Sequence, residues 1–194
     1  MNLLALDTSS NACSVALQVG EKVTLAHVVK PREHTTILLP MIENILQDAR
    51  MNLTDLDGIV LGNGPGSFIG MRIAASVAQG MAYGANLQIV PVSSLEIIAA
   101  ETLSTHEEIH VLVAQDAHMN EVYLAAFTRD ESGLPVTERE VTLHKVNENI
   151  ADLASDDVLA AGAGWQRYPE LFTNNESILA GRAEILYPNA RYLL

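Results

Sequence analysis

Apolar residues come in short blocks separated by polar or glycine-bearing turns, and the blocks are of two kinds. Unbroken aliphatic and β-branched runs predict strands. Runs with apolar residues three and four apart predict helices. Residues 2–7 (NLLALD), 12–19 (ACSVALQV) and 22–30 (KVTLAHVVK) predict three strands, with Gly20-Glu21 as a hairpin turn. Residues 33–50 predict a helix that Pro40 should bend or restart. A strand at 57–62, a helix at 67–84 with Gly84 as a possible stop, and a strand at 87–92 follow. Ser93 or Ser94 then caps a helix running to about residue 103.

The pattern restarts after residue 104. Strands are predicted at 109–116, 121–128 and 135–143, a helix at about 145–154 and a strand at 157–162. LLALDTSSNACSVAL and VLVAQDAHMNEVYLA both run apolar strand, Asp, small polar turn, apolar strand. The β-β-β-α-β order therefore occurs twice, which predicts an internal duplication. The expected architecture is α/β: two lobes, 1–104 and 105–194, each a mixed sheet with flanking helices. An Asp ending the first strand of each half is the layout of actin-like, ribonuclease H-like lobes.

Composition narrows the function. A chain of 194 residues with 48% hydrophobic residues can bury about 70% of its unfolded surface and needs no staple. One cysteine forms no intrachain disulfide, and a reducing, cytoplasmic setting is expected. No apolar run reaches the length of a membrane span, and Asp7 interrupts the N-terminal block too early for a signal peptide. Eleven basic residues face 24 acidic ones, for a net charge of −13. A protein that grips a nucleic acid backbone by itself needs clustered Lys and Arg. No such cluster occurs, so any nucleic acid must be held by another subunit.

Three motifs bear on chemistry. In the actin-like layout the turn after the first strand cradles phosphate, which favours glycine there. The turns after Asp7 and Asp116 read TSSNA and AHMNE, without glycine, so these two positions are read as vestigial phosphate turns or simple turn caps. GNGPGSFIG at 62–70 joins a strand to a helix as a phosphate loop would. It lacks the Walker lysine and the last glycine of GxGxxG, so a tight backbone turn is the simpler reading. His106-Glu107-Glu108-Ile109-His110 matches H-E-x-x-H. A zinc pair needs both histidines on one helix, whereas His110 opens a predicted strand, so the two should diverge. No metal ligand and no cofactor site is expected.

The two helices of the first half are too apolar for a single buried stripe. The apolar arc covers about 260° of the second helix and about 200° of the first, against the roughly 100° that covering a sheet requires. Arg72, Ser76, Gln79 and Tyr83 form the narrow polar stripe of the second. Gly66, Gly70, Ala74, Ala78 and Ala82 form a small-residue column at i, i+4 spacing. The bland reading packs the helices on each other and a neighbour. The reading taken here is a partner interface of Leu38, Met41, Ile42 and Ile45 on the first helix, with Gly70, Met71, Ala74, Ala75 and Ala78 on the second.

NLLALDTSSNACSVAL, EHTTILLPMIENIL and especially GNGPGSFIGMRIAASVAQGMAYG followed by PVSSLE resemble the TsaB (YeaZ) family. The resemblance continues through AQDAHMNEVYLAAF and AAGAGWQRYPEL, and so covers nearly the whole chain. It implies two actin-like lobes and a non-catalytic scaffold role in forming N6-threonylcarbamoyladenosine beside the tRNA anticodon. It implies TsaD as the direct, catalytic partner, TsaE in the complex, tRNA only through the complex, and a homodimer when alone, with the first two helices as the contact. Two departures stand out. Ile69 replaces the family's usual Thr, which removes a hydroxyl from the loop. The chain also ends at Arg-Tyr-Leu-Leu where family members commonly continue, so a closing helix is expected beyond it.

Two other classes compete with the scaffold reading. A glycoprotease-like metallopeptidase would need a convergent His pair with a third ligand. A small-molecule kinase of the actin-like superfamily would need glycine-bearing phosphate turns and an acidic base. The sequence supplies neither set.

Overall fold

The computed structural model describes residues 1–150, 152 and 157–194. Contacts divide the chain into two units, Met1–Ile97 with Pro188–Leu194, and Ile98–Tyr187.

In the first unit, β1 (Asn2–Asp7), β2 (Ala12–Val19) and β3 (Lys22–Val29) form an antiparallel meander, turned between β2 and β3 by Gly20 at φ +62°. Helix α1 (His34–Asp48) leads to β4 (Gly58–Gly62), and α2 (Phe68–Ala85) leads to β5 (Gln88–Val92). Strands β4 and β5 are parallel to β1 and complete a sheet of order β3-β2-β1-β4-β5. Helix α1 does not restart at Pro40 and is assigned without interruption from His34 to Asp48. Pro40 and Thr36 both face solvent, where water can serve the carbonyl that proline leaves without a donor. Helix α2 stops not at Gly84 but at Asn86, whose left-handed conformation (φ 54°) closes the last turn.

One face of this sheet carries the core. Leu4, Leu6, Cys13, Val15 and Leu17 meet Leu38, Ile42, Ile45 and Leu46 of α1 and the Ala74, Ala78, Ala82 column of α2. On the opposite face Ala5, Ala16 and Val60 are covered by Ala190, with Leu193 and Leu194 packed alongside. The Ala190 amide donates to the buried Ser14 hydroxyl at 2.8 Å, which ties the closing 3-10 turn to β2.

Helix α3 (Ser94–Thr105) carries the chain into the second unit. There β6 (His110–His118), β7 (Glu121–Arg129) and β8 (Pro135–Lys145) form a second antiparallel meander. Strand β9 (Val158–Ala161), short helices α4 (Ala163–Arg167) and α5 (Pro169–Asn174), and β10 (Leu179–Arg182) complete it. The sheet order, β10-β9-β6-β7-β8, repeats that of the first sheet, so the two units share one topology. Its core is built on Trp165, fully buried, whose indole N–H donates to the Leu112 carbonyl at 3.2 Å.

The helix expected at about 145–154 is not found over its described part. Lys145 ends β8, residues 146–148 form a turn and a bend, and 149–150 have no regular structure. The buried Asn175 takes the place of helical bonding there. Its Oδ1 accepts from the Ile150 amide at 2.9 Å, and its Nδ2 donates to the carbonyls of Leu171 and Glu148. Residues 151, 153 and 154 of that expectation lie outside the described residues.

Candidate functional site

The turn after β1 is where an actin-like lobe would meet phosphate, and here it is filled by the chain itself. Asp7 is 1% exposed. Its Oδ1 accepts from the Ser9 amide at 2.8 Å and the Ser9 hydroxyl at 2.9 Å, and its Oδ2 accepts from the Ser94 hydroxyl at 2.6 Å. The Ser94 hydroxyl oxygen in turn accepts from the Gly64 amide at 2.9 Å. One carboxylate thus ties together the β1 turn, the glycine-rich loop and the start of α3. Burial pushes the Asp7 carboxyl up from its ordinary value, opposed by the donors of Ser94 and Ser9.

The glycine-rich loop closes the turn from the other side. The Ser67 amide donates to the Ser9 carbonyl at 2.6 Å, and the Thr8 hydroxyl donates to the Gly70 carbonyl at 2.7 Å. A Cβ on Gly66 would collide with the Ser9 carbonyl, one on Gly70 with the Thr8 carbonyl, and one on Gly62 with the Asp7 carboxylate. The glycines therefore serve close backbone packing, as the simpler sequence reading has it. The start of α2 is also occupied, since the Ser67 hydroxyl accepts from the Gly70 amide at 3.1 Å.

Asp116 has the matching place in the second unit. Its Oδ1 accepts from the His118 amide and from the Tyr168 hydroxyl, both at 2.8 Å. It caps a turn in which His118, Met119 and Asn120 all have positive φ. Both aspartates accept from the amide two residues on, which is turn chemistry. His106 and His110 separate as expected. His106 Nδ1 lies 3.1 Å from the Thr102 carbonyl, while His110 lies on β6 with its Nδ1 3.2 Å from Glu138. Among the described residues no group of three or more His, Cys, Asp or Glu is placed to hold a metal ion.

The helix face is redistributed by the structure. Six of the nine interface candidates turn inward: Leu38, Ile42, Ile45, Gly70, Ala74 and Ala78 are buried in their own unit. The small-residue column packs on its own sheet, because α2 must come close enough to seat Gly70 on the Thr8 carbonyl. Met41, Met71 and Ala75 lie half-buried, Met41 and Ala75 packed against that core. What solvent sees is a different set. Phe68 is 61% exposed, Ile69 70%, Tyr83 94% and Leu39 49%, with Arg72, Ser76 and Gln79 between them on α2. The Arg72 guanidinium stacks over the Phe68 ring at 3.7 Å from its centre. The signal for Phe68 and Ile69 was their place at the two edges of the polar stripe on the helical wheel, beside Gln79 and Ser76.

Comparison with known proteins agrees with this architecture. The family model of TsaD, described as tRNA N6-adenosine threonylcarbamoyltransferase, matches residues 28–171. The tRNA threonylcarbamoyladenosine biosynthesis protein TsaB of Haemophilus influenzae is 38% identical over 201 residues, covering all of this chain and 84% of that protein. Its namesake in Escherichia coli is 39% identical over 197 residues, with the same coverage of each. The solved structure of YeaZ from Pseudomonas aeruginosa superposes with a TM-score of 0.90 at 32% identity, covering 99% of this chain and 88% of that one. With two lobes of one topology, the glycine loop seated on the first turn and relatives matched along their length, the chain belongs to the TsaB family.

Proposed function

We propose that this chain is a non-catalytic subunit in the biosynthesis of threonylcarbamoyladenosine in tRNA, and that it acts by docking TsaD through the exposed face of α1 and α2. The names of its Haemophilus and Escherichia relatives support the pathway. The state of Asp7 carries the non-catalytic reading. A carboxylate that organises a metal or its water needs lone pairs open to the ligand. Asp7 is 1% exposed and already accepts three donors from its own chain. Transfer chemistry then belongs to the partner. A net charge of −13 fits a subunit that leaves tRNA to others. TsaE joins the pair, the setting is the cytoplasm, and without TsaD the same face pairs two copies of this chain.

The test is threonylcarbamoyl transfer to tRNA by TsaD, measured with and without this chain. The chain alone should show no transfer, and the Asp7→Asn variant should support TsaD as well as wild type does. Turnover by the chain alone, lost in an Asp7→Asn protein of unchanged melting temperature, would overturn the reading.

A further inference from the structure

We propose that Asn63 is a deamidation site, and that Ser94 holds the reaction back by binding the Gly64 amide. Asn63-Gly64 is the one Asn-Gly pair in the sequence. Asparagine is chemically labile, and a following glycine has no Cβ to block the approach of its own nitrogen. Asn63 is exposed, so water can reach its side-chain amide. The reaction is an internal substitution. The Gly64 nitrogen attacks the Asn63 side-chain carbonyl carbon, the new N–C bond closes a cyclic imide, and ammonia leaves with the proton that Gly64 gives up. Water then adds to either imide carbonyl and opens the ring to aspartate or isoaspartate.

The attacking nitrogen is held in the folded protein. Gly64 is buried, and its N–H donates to the Ser94 hydroxyl oxygen at 2.9 Å. Its carbonyl accepts from the Ser94 amide at 2.7 Å, so Ser94 grips this residue from both sides. The Asn63 amide donates to the Val92 carbonyl at 2.8 Å, which fixes the residue before it. The Ser94 hydroxyl is itself anchored, because it donates to the buried Asp7 carboxylate at 2.6 Å. To react, the Gly64 nitrogen must leave Ser94 and turn toward the Asn63 side chain, so deamidation waits on local opening of the loop. The product would matter to α2. Isoaspartate routes the main chain through the side chain and lengthens it just before the turn that has no room for a Cβ at Gly66 or Gly70.

Aging the full chain at mildly alkaline pH, with peptide mapping by mass spectrometry, tests this against wild type unfolded in urea. Folded wild type should deamidate at Asn63 at least about tenfold more slowly than the unfolded chain, and its Gly64 amide should be protected from hydrogen exchange to a similar degree. Ser94→Ala should speed deamidation of the folded protein about fivefold or more, because it removes one buried hydrogen bond from the closed loop. That rate should exceed what global unfolding, read from exchange at the buried Leu4 amide, accounts for. Folded wild type that reacts as fast as in urea would overturn the proposal, and this comparison needs no variant. So would a folded Ser94→Ala protein that reacts as slowly as wild type, or deamidation that global unfolding fully explains. The isoaspartate fraction should melt below fresh protein; an unchanged melt would overturn the consequence drawn for α2.

Discussion

Asp7 shows how one side chain can be both buried and retained. Removing a carboxylate from water is costly, and here three donors offset part of that cost without cancelling it. Burial raises its native pKa above the ordinary 3.8. Between that value and the raised one the folded state binds more protons than the unfolded state. The contribution of Asp7 to stability is therefore fully present below pH 3.8 and is lost as pH rises through the native pKa. Subtracting the pH profile of Asp7→Asn from that of wild type, in denaturant midpoints from pH 3 upward, should expose this fall. A difference curve that rises with pH would contradict the burial argument. Ala78 lies at the same scale. It is 0% exposed against its own sheet, so Ala78→Leu should destabilise the protein by about 1–3 kcal/mol, visible as a lower melting temperature. An unchanged melt would mean that the column has spare room and that the core assignment is wrong.

At the scale of elements, the strands were the most legible part of the chain. NLLALD, ACSVALQV and IHVLVAQD are continuous apolar runs, and burial on both faces produces such runs. The extent of α2 was legible too, but not the direction it faces. A column of small residues signals close approach, and nothing in its spacing says whether the neighbour is a partner helix or the strand behind it. The neighbour is the backbone of Thr8 and Ser9, which lies more than 50 residues away in sequence. Residues 146–150 failed differently. Part of their order comes from distant groups, the Asn175 side chain and the Asn120 carbonyl, and local periodicity does not report that. Asn175→Ala would leave the buried Ile150 amide without its acceptor and should cost about 1–3 kcal/mol, read as a lower denaturant midpoint. No loss of stability would show that this turn does not depend on Asn175.

Across the whole molecule, one topology is used twice, and in both copies the aspartate at or near the end of the first strand serves a turn. The duplication was readable because the order of the strands survives where sequence identity does not. The non-catalytic reading was readable only in part. Missing glycines after Asp7 pointed to a degraded phosphate turn, but only the structure shows it filled by Ser9, Ser94 and the glycine-rich loop. What the molecule leaves open is the stripe of Phe68, Arg72 and Tyr83 on α2. The docking role of that face is tested most directly by the affinity of a Phe68→Asp/Tyr83→Asp protein for TsaD. Both side chains are well exposed, so the melting temperature should stay within a few degrees of wild type while Kd rises at least about 100-fold. Wild-type affinity for TsaD in that folded variant would contradict the claim that this chain works by docking its partner on the α1–α2 face.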